Sequence, residues 1–407
     1  MTITRTREQG TGSPIEQTKG VNMKQPFTFT GANKIVFGNG SINQLPDLIA
    51  ELQAKRPIFF LDGNLSSAPL RKKLAELCGS SEGDCVIYDK ISGEPELHLA
   101  DEGADLALQE GCDIVIGMGG GSTMDVAKAA AAIAGNGGRA EDYLGLNRVP
   151  ASGLPTIMIP TTAGTGSEVT FTAVFIRKDL NKKEGINSIY MYPDIALLDP
   201  ELTLSVPPAV TAATGMDALC HAIESYTSIT ASPMSEMVSR EAIRLIAENL
   251  RTAVTDGNNR EARAAMLLGS MYAGLGLANA GVTAVHSLSY PLGGQYGISH
   301  GIANTVLLAP TMRFNVPGAV EKFAHVAGIM GRDIAGMSPE DAAREAVDAV
   351  EALISDCGIE GGLAKLGIPR EVFHKLAEAA MMVARPLENN PRPVTIDDAV
   401  AIYEDAY

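Results

Sequence analysis

Four side chains could hold a divalent metal. Asp217-Ala-Leu-Cys-His221 places a carboxylate and an imidazole four residues apart, on one face of a helix. Further along stand His286 and His300, with Pro291, Gly293, Gly294 and Gly297 between them. Those residues exclude one continuous helix, so the segment must bend, and a bend can bring both imidazoles to one point. Three neutral imidazoles and a carboxylate suit a borderline cation such as Fe²⁺ or Zn²⁺. A lone histidine on an apolar helix reads equally well as a core or capping residue; the joint pattern carries the metal reading. His98, His325 and His374 fall outside it and read as surface or core histidines.

A second feature is the run Ile114-Val-Ile-Gly-Met-Gly-Gly-Gly-Ser-Thr-Met-Asp125. A strand leads into Gly119, Gly120, Gly121 and Ser122 and then into a helix. Without Cβ atoms the backbone N–H groups can approach a phosphate, and a helix N-terminus adds positive potential. The spacing is tighter than G-x-G-x-x-G, so the run reads either as a pyrophosphate site or as a plain tight turn. Asp62, just after the apolar run Pro57–Leu61, has the chemistry to accept hydrogen bonds from an adenosine ribose, and its charge opposes a 2′-phosphate, which favours NAD over NADP. It reads equally as a turn residue before Gly63. In Pro160-Thr-Thr-Ala-Gly-Thr-Gly-Ser-Glu168, hydroxyls and glycines again follow a buried strand. That places them at the sheet edge where ligands of open α/β sheets bind; a capped helix start is the other reading.

The elements that must position these residues alternate. Strand-like Pro57–Leu61, Cys85–Tyr88, Asp113–Ile116 and Thr156–Ile159 are interleaved with helix-like Leu70–Leu77, Leu97–Glu110 and Thr123–Ala134. Uniformly apolar strands alternating with helices predict a parallel sheet covered on both faces. After Pro207-Pro208 the texture turns helical: Ala209–Thr227, Ser235–Thr255, Arg260–Asn279 and Pro339–Cys357. A tail over 1–22, an α/β domain over 23–206 and a helical domain over 207–407 are expected. The tail is polar, reads as disordered, and leaves Met23 as an alternative start.

With 407 residues, 45% of them hydrophobic, the chain can bury a large core without disulfides. The formal net charge of −16, with no basic stripe, argues against a nucleic-acid partner. No run reaches the length of a membrane span. Five scattered cysteines, Cys78, Cys85, Cys112, Cys220 and Cys357, make no C-x-x-C pair and fit reduced thiols in a cytoplasmic protein.

From about Phe27 to Tyr407 the chain resembles the iron-containing (group III) alcohol dehydrogenases. The resemblance is carried by Gly119-Gly-Gly-Ser-Thr-Met-Asp-Val-Ala-Lys128, Pro160–Thr170, Gly215-Met-Asp-Ala-Leu-Cys-His-Ala-Ile-Glu224, Val285-His-Ser-Leu-Ser-Tyr-Pro-Leu-Gly293 with Ser299-His-Gly301, and Asn390-Pro-Arg392. It implies an N-terminal α/β dinucleotide-binding domain, a C-terminal helical domain and a cleft between them. It implies metal ligands at Asp217, His221, His286 and His300. It implies NAD contacts at Asp62, Gly120, Gly121, Ser122, Asp125, Thr161, Thr162, Thr165 and Lys183. The strand near Phe27–Phe37 resembles one used in homodimer contacts.

Some positions depart from the pattern. Tyr290 stands where many members carry a second histidine linked to proton relay or substrate contact, so Tyr290 is the candidate for that role. Thr172 and Glu94 stand where some members carry Asn. The Ser-Tyr-Pro variant also looks like branches acting on hydroxy acids. The expected activity is hydride transfer between NAD and a small alcohol or aldehyde. Alternatives are a hydroxyacid-oxoacid transhydrogenase or 4-hydroxybutyrate-type dehydrogenase, a zinc enzyme of the glycerol dehydrogenase type, and a non-catalytic nucleotide-binding protein.

Overall fold

The computed structural model describes residues 26–63, 65–77, 86–180 and 182–407. The expected tail, Met23, Cys78 and Cys85 lie outside them. Nine strands come first in the chain: β1 (Lys34–Phe37), β2 (Pro57–Asp62), β3 (Val86–Ile91), β4 (Ile114–Gly119), β5 (Gly145–Leu146), β6 (Thr156–Pro160), β7 (Thr172–Arg177), β8 (Lys182–Asn187) and β9 (Ile195–Leu198). Among them run helices α1 (Leu45–Glu51), α2 (Ala68–Leu77), α3 (His98–Gln109) and α4 (Gly121–Asn136). Ten helices follow: α5 (Pro208–Thr227), α6 (Pro233–Thr255), α7 (Arg260–Ala280), α8 (Ala284–Tyr296), α9 (His300–Asn315), α10 (Val320–Ile329), α11 (Pro339–Asp356), α12 (Phe373–Met381), α13 (Ala384–Glu388) and α14 (Ile396–Asp405).

Six strands form one parallel sheet in the order β1-β9-β6-β4-β2-β3. The central strands are apolar at nearly every position because both faces are covered, and β4 is buried throughout. The chain runs outward from β2 to β3, then returns to lay β4 against the other side of β2. That reversal is where open α/β sheets bind ligands. The register, Leu61 beside Met118 and Gly119 beside Pro160, puts Asp62, the Gly119–Ser122 turn and the Thr161 loop on one edge.

The edge strand is shorter than the sequence suggests. Only Lys34–Phe37 pairs in the sheet; upstream, the Thr30 amide bonds the Asn279 side chain of α7 at 2.7 Å, drawing the chain onto the helical half. A three-stranded sheet, β5-β8-β7, was not expected either. Its β8 strand, Lys-Lys-Glu-Gly-Ile-Asn, is too polar and glycine-containing to signal a strand.

Pro208 opens α5 as expected, and that helix is buried at every position from Gly215 to Thr227. It is the axis around which the helical half packs. The last helix is fastened to the site region by the buried Tyr403, whose hydroxyl donates to the Leu288 carbonyl of α8 at 2.7 Å. Between His286 and His300 the chain does break, but only at Gly297, which adopts φ 69° and ends α8. Pro291, Gly293 and Gly294 remain helical, the proline within α8 as a tolerated interruption. Among the described residues no single helix is long and apolar enough to cross a membrane.

Candidate active site

Helix α5 supplies Asp217 and His221, α8 supplies His286, and the start of α9 supplies His300. Their donor atoms lie within 4.8 Å of one another. His221 Nε2 is 3.0 Å from His286 Nε2, and Asp217 Oδ1 is 4.0 Å from His221 Nε2 and 3.8 Å from His300 Nε2. Ligand atoms at about 2.1 Å from a shared ion stand roughly 3–4 Å apart, so this set has the spacing of a first coordination sphere.

The chemistry of the donors agrees. Burial holds the His221 and His300 imidazoles below their usual range, so both are neutral with free lone pairs. Burial alone would raise Asp217; the surrounding His221, His300 and His286 bring it below its usual range, so it stays ionised. Two imidazole Nε2 atoms that face each other at 3.0 Å cannot both be satisfied as acceptors without a shared cation or proton. The arrangement fits a divalent metal.

Two residues passed over as candidates in the sequence support this set. Glu224 accepts a hydrogen bond from His286 Nδ1 through Oε2. Its Oε1 accepts from the Thr283 amide at 3.0 Å, the Thr283 hydroxyl at 2.8 Å and the Val285 amide at 2.9 Å. A carboxylate held this firmly fixes the imidazole tautomer and turns Nε2 toward the other ligands. Asn304, fully buried, donates to Asp217 Oδ1 at 2.7 Å. Helical spacing was the available signal: Glu224 follows His221 by one turn, and Asn304 follows His300 by one turn.

These groups border a cavity of ≈170 Å³ that also touches the glycine-rich turn. Gly121, Ser122, Asp125, Thr165, Lys183 and Tyr290 line it with His221, His286 and His300. Gly121 begins α4, so the N-terminus of that helix, with its positive potential, borders this space. A Cβ on Gly121 would stand 2.6 Å from Thr165, so glycine there is a packing requirement. Gly120, Thr161 and Thr162 are not among the residues that line it; the Thr161 amide bonds the Gly119 carbonyl at 2.9 Å, beside the turn. Asp62 closes β2 on the same edge of the sheet.

Two acidic partners change how the candidate residues read. Asp125 accepts from the Ser167 hydroxyl at 2.6 Å and the Val174 amide at 2.9 Å, tying α4 to the neighbouring loop and hairpin. Lys183 pairs with Glu94 at 2.6 Å. Glu94 also accepts from the His300 amide at 3.1 Å, so the sheet side and the helical side meet through one carboxylate. Tyr290 stands between them, its ring 6.0 Å from that of His300. Burial raises its phenol above the ordinary range, so the hydroxyl is protonated at neutral pH.

Beneath the Thr161 loop lies Glu168, 1% exposed, with Oε1 unpartnered among the described residues. Burial raises its carboxyl to about 7, against the opposing pull of its own amide and of Lys128. The folded protein thus binds this proton more tightly than the unfolded chain. Its contribution to stability is present in full below about pH 4.5 and is lost as pH rises through about 7. The melting midpoint of the native protein should fall more between pH 5 and 8 than that of Glu168→Gln. Parallel pH curves for the two proteins would contradict the assignment.

The comparisons with known proteins agree with this geometry. The model for "Iron-containing alcohol dehydrogenase" matches residues 32–200, and that for "Fe-containing alcohol dehydrogenase family, C-terminal" matches 211–407. The long-chain-alcohol dehydrogenase 1 of Geobacillus thermodenitrificans is 39% identical over 91% of this chain and 94% of its own length. The NAD-dependent methanol dehydrogenase of Bacillus methanolicus is 36% identical over 91% and 97%. A crystal structure of a 1,3-propanediol oxidoreductase superposes with a TM-score of 0.90 at 35% identity, covering 94% of this chain and all of that one. The chain belongs to the iron-containing alcohol dehydrogenase family and is an NAD-dependent oxidoreductase of alcohols and aldehydes.

Proposed function

We propose that Asp217, His221, His286 and His300 hold the iron and that Gly120, Gly121, Ser122, Thr161, Thr162, Thr165 and Asp62 hold NAD, with a small alcohol or aldehyde between them. The observation that carries this reading is the cavity shared by three of the metal-ligand candidates and the N-terminus of α4. When bound, iron supplies Lewis acidity toward the substrate oxygen and NAD supplies the hydride chemistry.

The remaining work falls to the chain. The α4 amides and the neighbouring hydroxyls fix the pyrophosphate, and Asp62 receives the ribose. Glu224 keeps His286 aimed and in one tautomer. Val174, Leu277 and Val282 line the cavity with apolar surface and limit water at the reacting carbon. The paired Lys183 and Glu94 keep two charges in place without a net charge at the site. Tyr290, held protonated, presents an O–H that can donate a hydrogen bond to the substrate oxygen.

The same reading includes a metal-binding helical domain from residue 207 and an NAD domain before it. It also includes a cytoplasmic location and a homodimer. The exposed edge strand β1, with Ile35 and Phe37 outward, supports the last of these.

The test is NAD-linked turnover of short alcohols and aldehydes by iron-loaded protein and by Tyr290→Phe. Turnover by the native protein and a kcat about 100-fold lower in the variant are expected. Native-like kcat in Tyr290→Phe would remove the tyrosine from contact with the substrate oxygen; no turnover on any alcohol or aldehyde would contradict the reading itself.

A further inference from the structure

Of the four metal-ligand candidates, His300 is the least enclosed. Its side chain is 28% exposed, against 3–4% for Asp217, His221 and His286. Asp217 and His221 stand within the buried helix α5, and His286 is braced through its ring by Glu224. His300 instead opens α9, just after the Gly297 turn that ends α8. The first amides of a helix have no partner within it, and Ser299 at the N-cap makes no side-chain bond to them.

A carboxylate from the sheet half takes the place of that cap. Glu94 Oε1 accepts from the His300 amide at 3.1 Å, while Oε2 pairs with Lys183 Nζ at 2.6 Å. A negative group at a helix N-terminus gains from the helix dipole as well as from the hydrogen bond. The base of this contact is fixed. Next to Glu94, the Pro95 carbonyl accepts from the Ile176 amide of β7 at 2.8 Å, and β7 pairs with β8, which carries Lys183. The Lys183 side chain is buried and crosses α8 at Gly293, where a Cβ would stand 2.8 Å from its Cε. One ion pair from the sheet half therefore touches both helices of the bend that presents His300. Asparagine, which some members carry here, is one methylene shorter and has no charge for Lys183.

We propose that Glu94 is a positioning residue: braced by Lys183, its carboxylate holds the first turn of α9 and thereby sets His300 toward the other three ligands. The proposal rests on the reading above, in which those four residues hold the iron. His286 is aimed through its ring and His300 through its backbone. Metal affinity then depends on the meeting of the two halves, because the ligands lie on α5, α8 and α9 and the brace comes from the loop after β3.

The experiment measures the Fe²⁺ affinity of chelator-stripped native protein, Glu94→Ala and Glu94→Gln by anaerobic competition with a chromogenic chelator. Melting midpoints are recorded alongside, with and without Fe²⁺. Glu94→Ala should bind Fe²⁺ about 10-fold more weakly, the scale of losing an outer partner of a metal ligand. Glu94→Gln should bind nearly as tightly as the native protein, because its amide oxygen still accepts from the His300 N–H. Subsaturating Fe²⁺ should accordingly raise the midpoint less in Glu94→Ala than in the other two. Native affinity in Glu94→Ala, whether or not its metal-free midpoint falls, would make Glu94 a structural tie only and overturn the proposal. Equal weakening in both variants would also overturn it, since the bond to the His300 amide would not then carry the effect. Native protein that binds no Fe²⁺ would overturn the ligand reading itself, and the brace with it.

Discussion

Replacing His286 with Ala should remove the metal and lower turnover by about 1,000-fold or more. Several kcal/mol of transition-state stabilisation depend on a catalytic metal, and each 1.4 kcal/mol is about tenfold in rate. The variant has a second effect, because Glu224 sits behind His286, 2% exposed. Removing its partner takes one hydrogen bond from a buried carboxylate, which costs about 1.5–3 kcal/mol. His286→Gln separates the two effects. Its amide can still donate toward Glu224 but is a poor metal ligand, so it should lose metal and activity with a smaller drop in melting midpoint. Metal analysis, turnover and thermal melting on both variants check this. Metal retained at the native level in His286→Ala would contradict the ligand assignment.

Gly121→Val should raise KM for NAD by about 10- to 100-fold, the scale of losing hydrogen bonds to a charged phosphate. The added side chain has no room: even a Cβ would stand 2.6 Å from Thr165, within a rim that holds the α4 N-terminus open. Thr165 must move, and the backbone amides become less accessible to the pyrophosphate. Metal content should stay near native, because the ligands lie on α5, α8 and α9. Unchanged NAD affinity would take this turn out of the cofactor site.

Much of the architecture was readable because it follows from strong local signals. The apolar runs of β2, β4 and β6 could only be strands covered on both faces, and their glycine- and threonine-rich exits had to lie on one edge of a parallel sheet. The clustering of the four candidate ligands was readable because Asp217 and His221 share a helix face and Gly297 ends α8 before His300. What the sequence did not convey is where side chains meet across elements. Glu224 looked like one more helical carboxylate, yet it is buried and aims His286. Glu94 was visible only as a substitution, and its simultaneous hold on Lys183 and the α9 terminus depends on the two halves of the molecule coming together. The hairpin β7–β8 gave little signal because its outer strand is polar, and its stability comes from pairing and from the Asp125 bond to Val174.

The most direct measurement is an anaerobic titration of chelator-stripped protein with Fe²⁺, following bound metal and NAD-linked alcohol oxidation together. Both should rise in parallel and level off at about one equivalent per chain, as expected for a single site whose ligands are preorganised. Full turnover before any metal is bound, or metal uptake unaffected by loss of His286, would contradict the account.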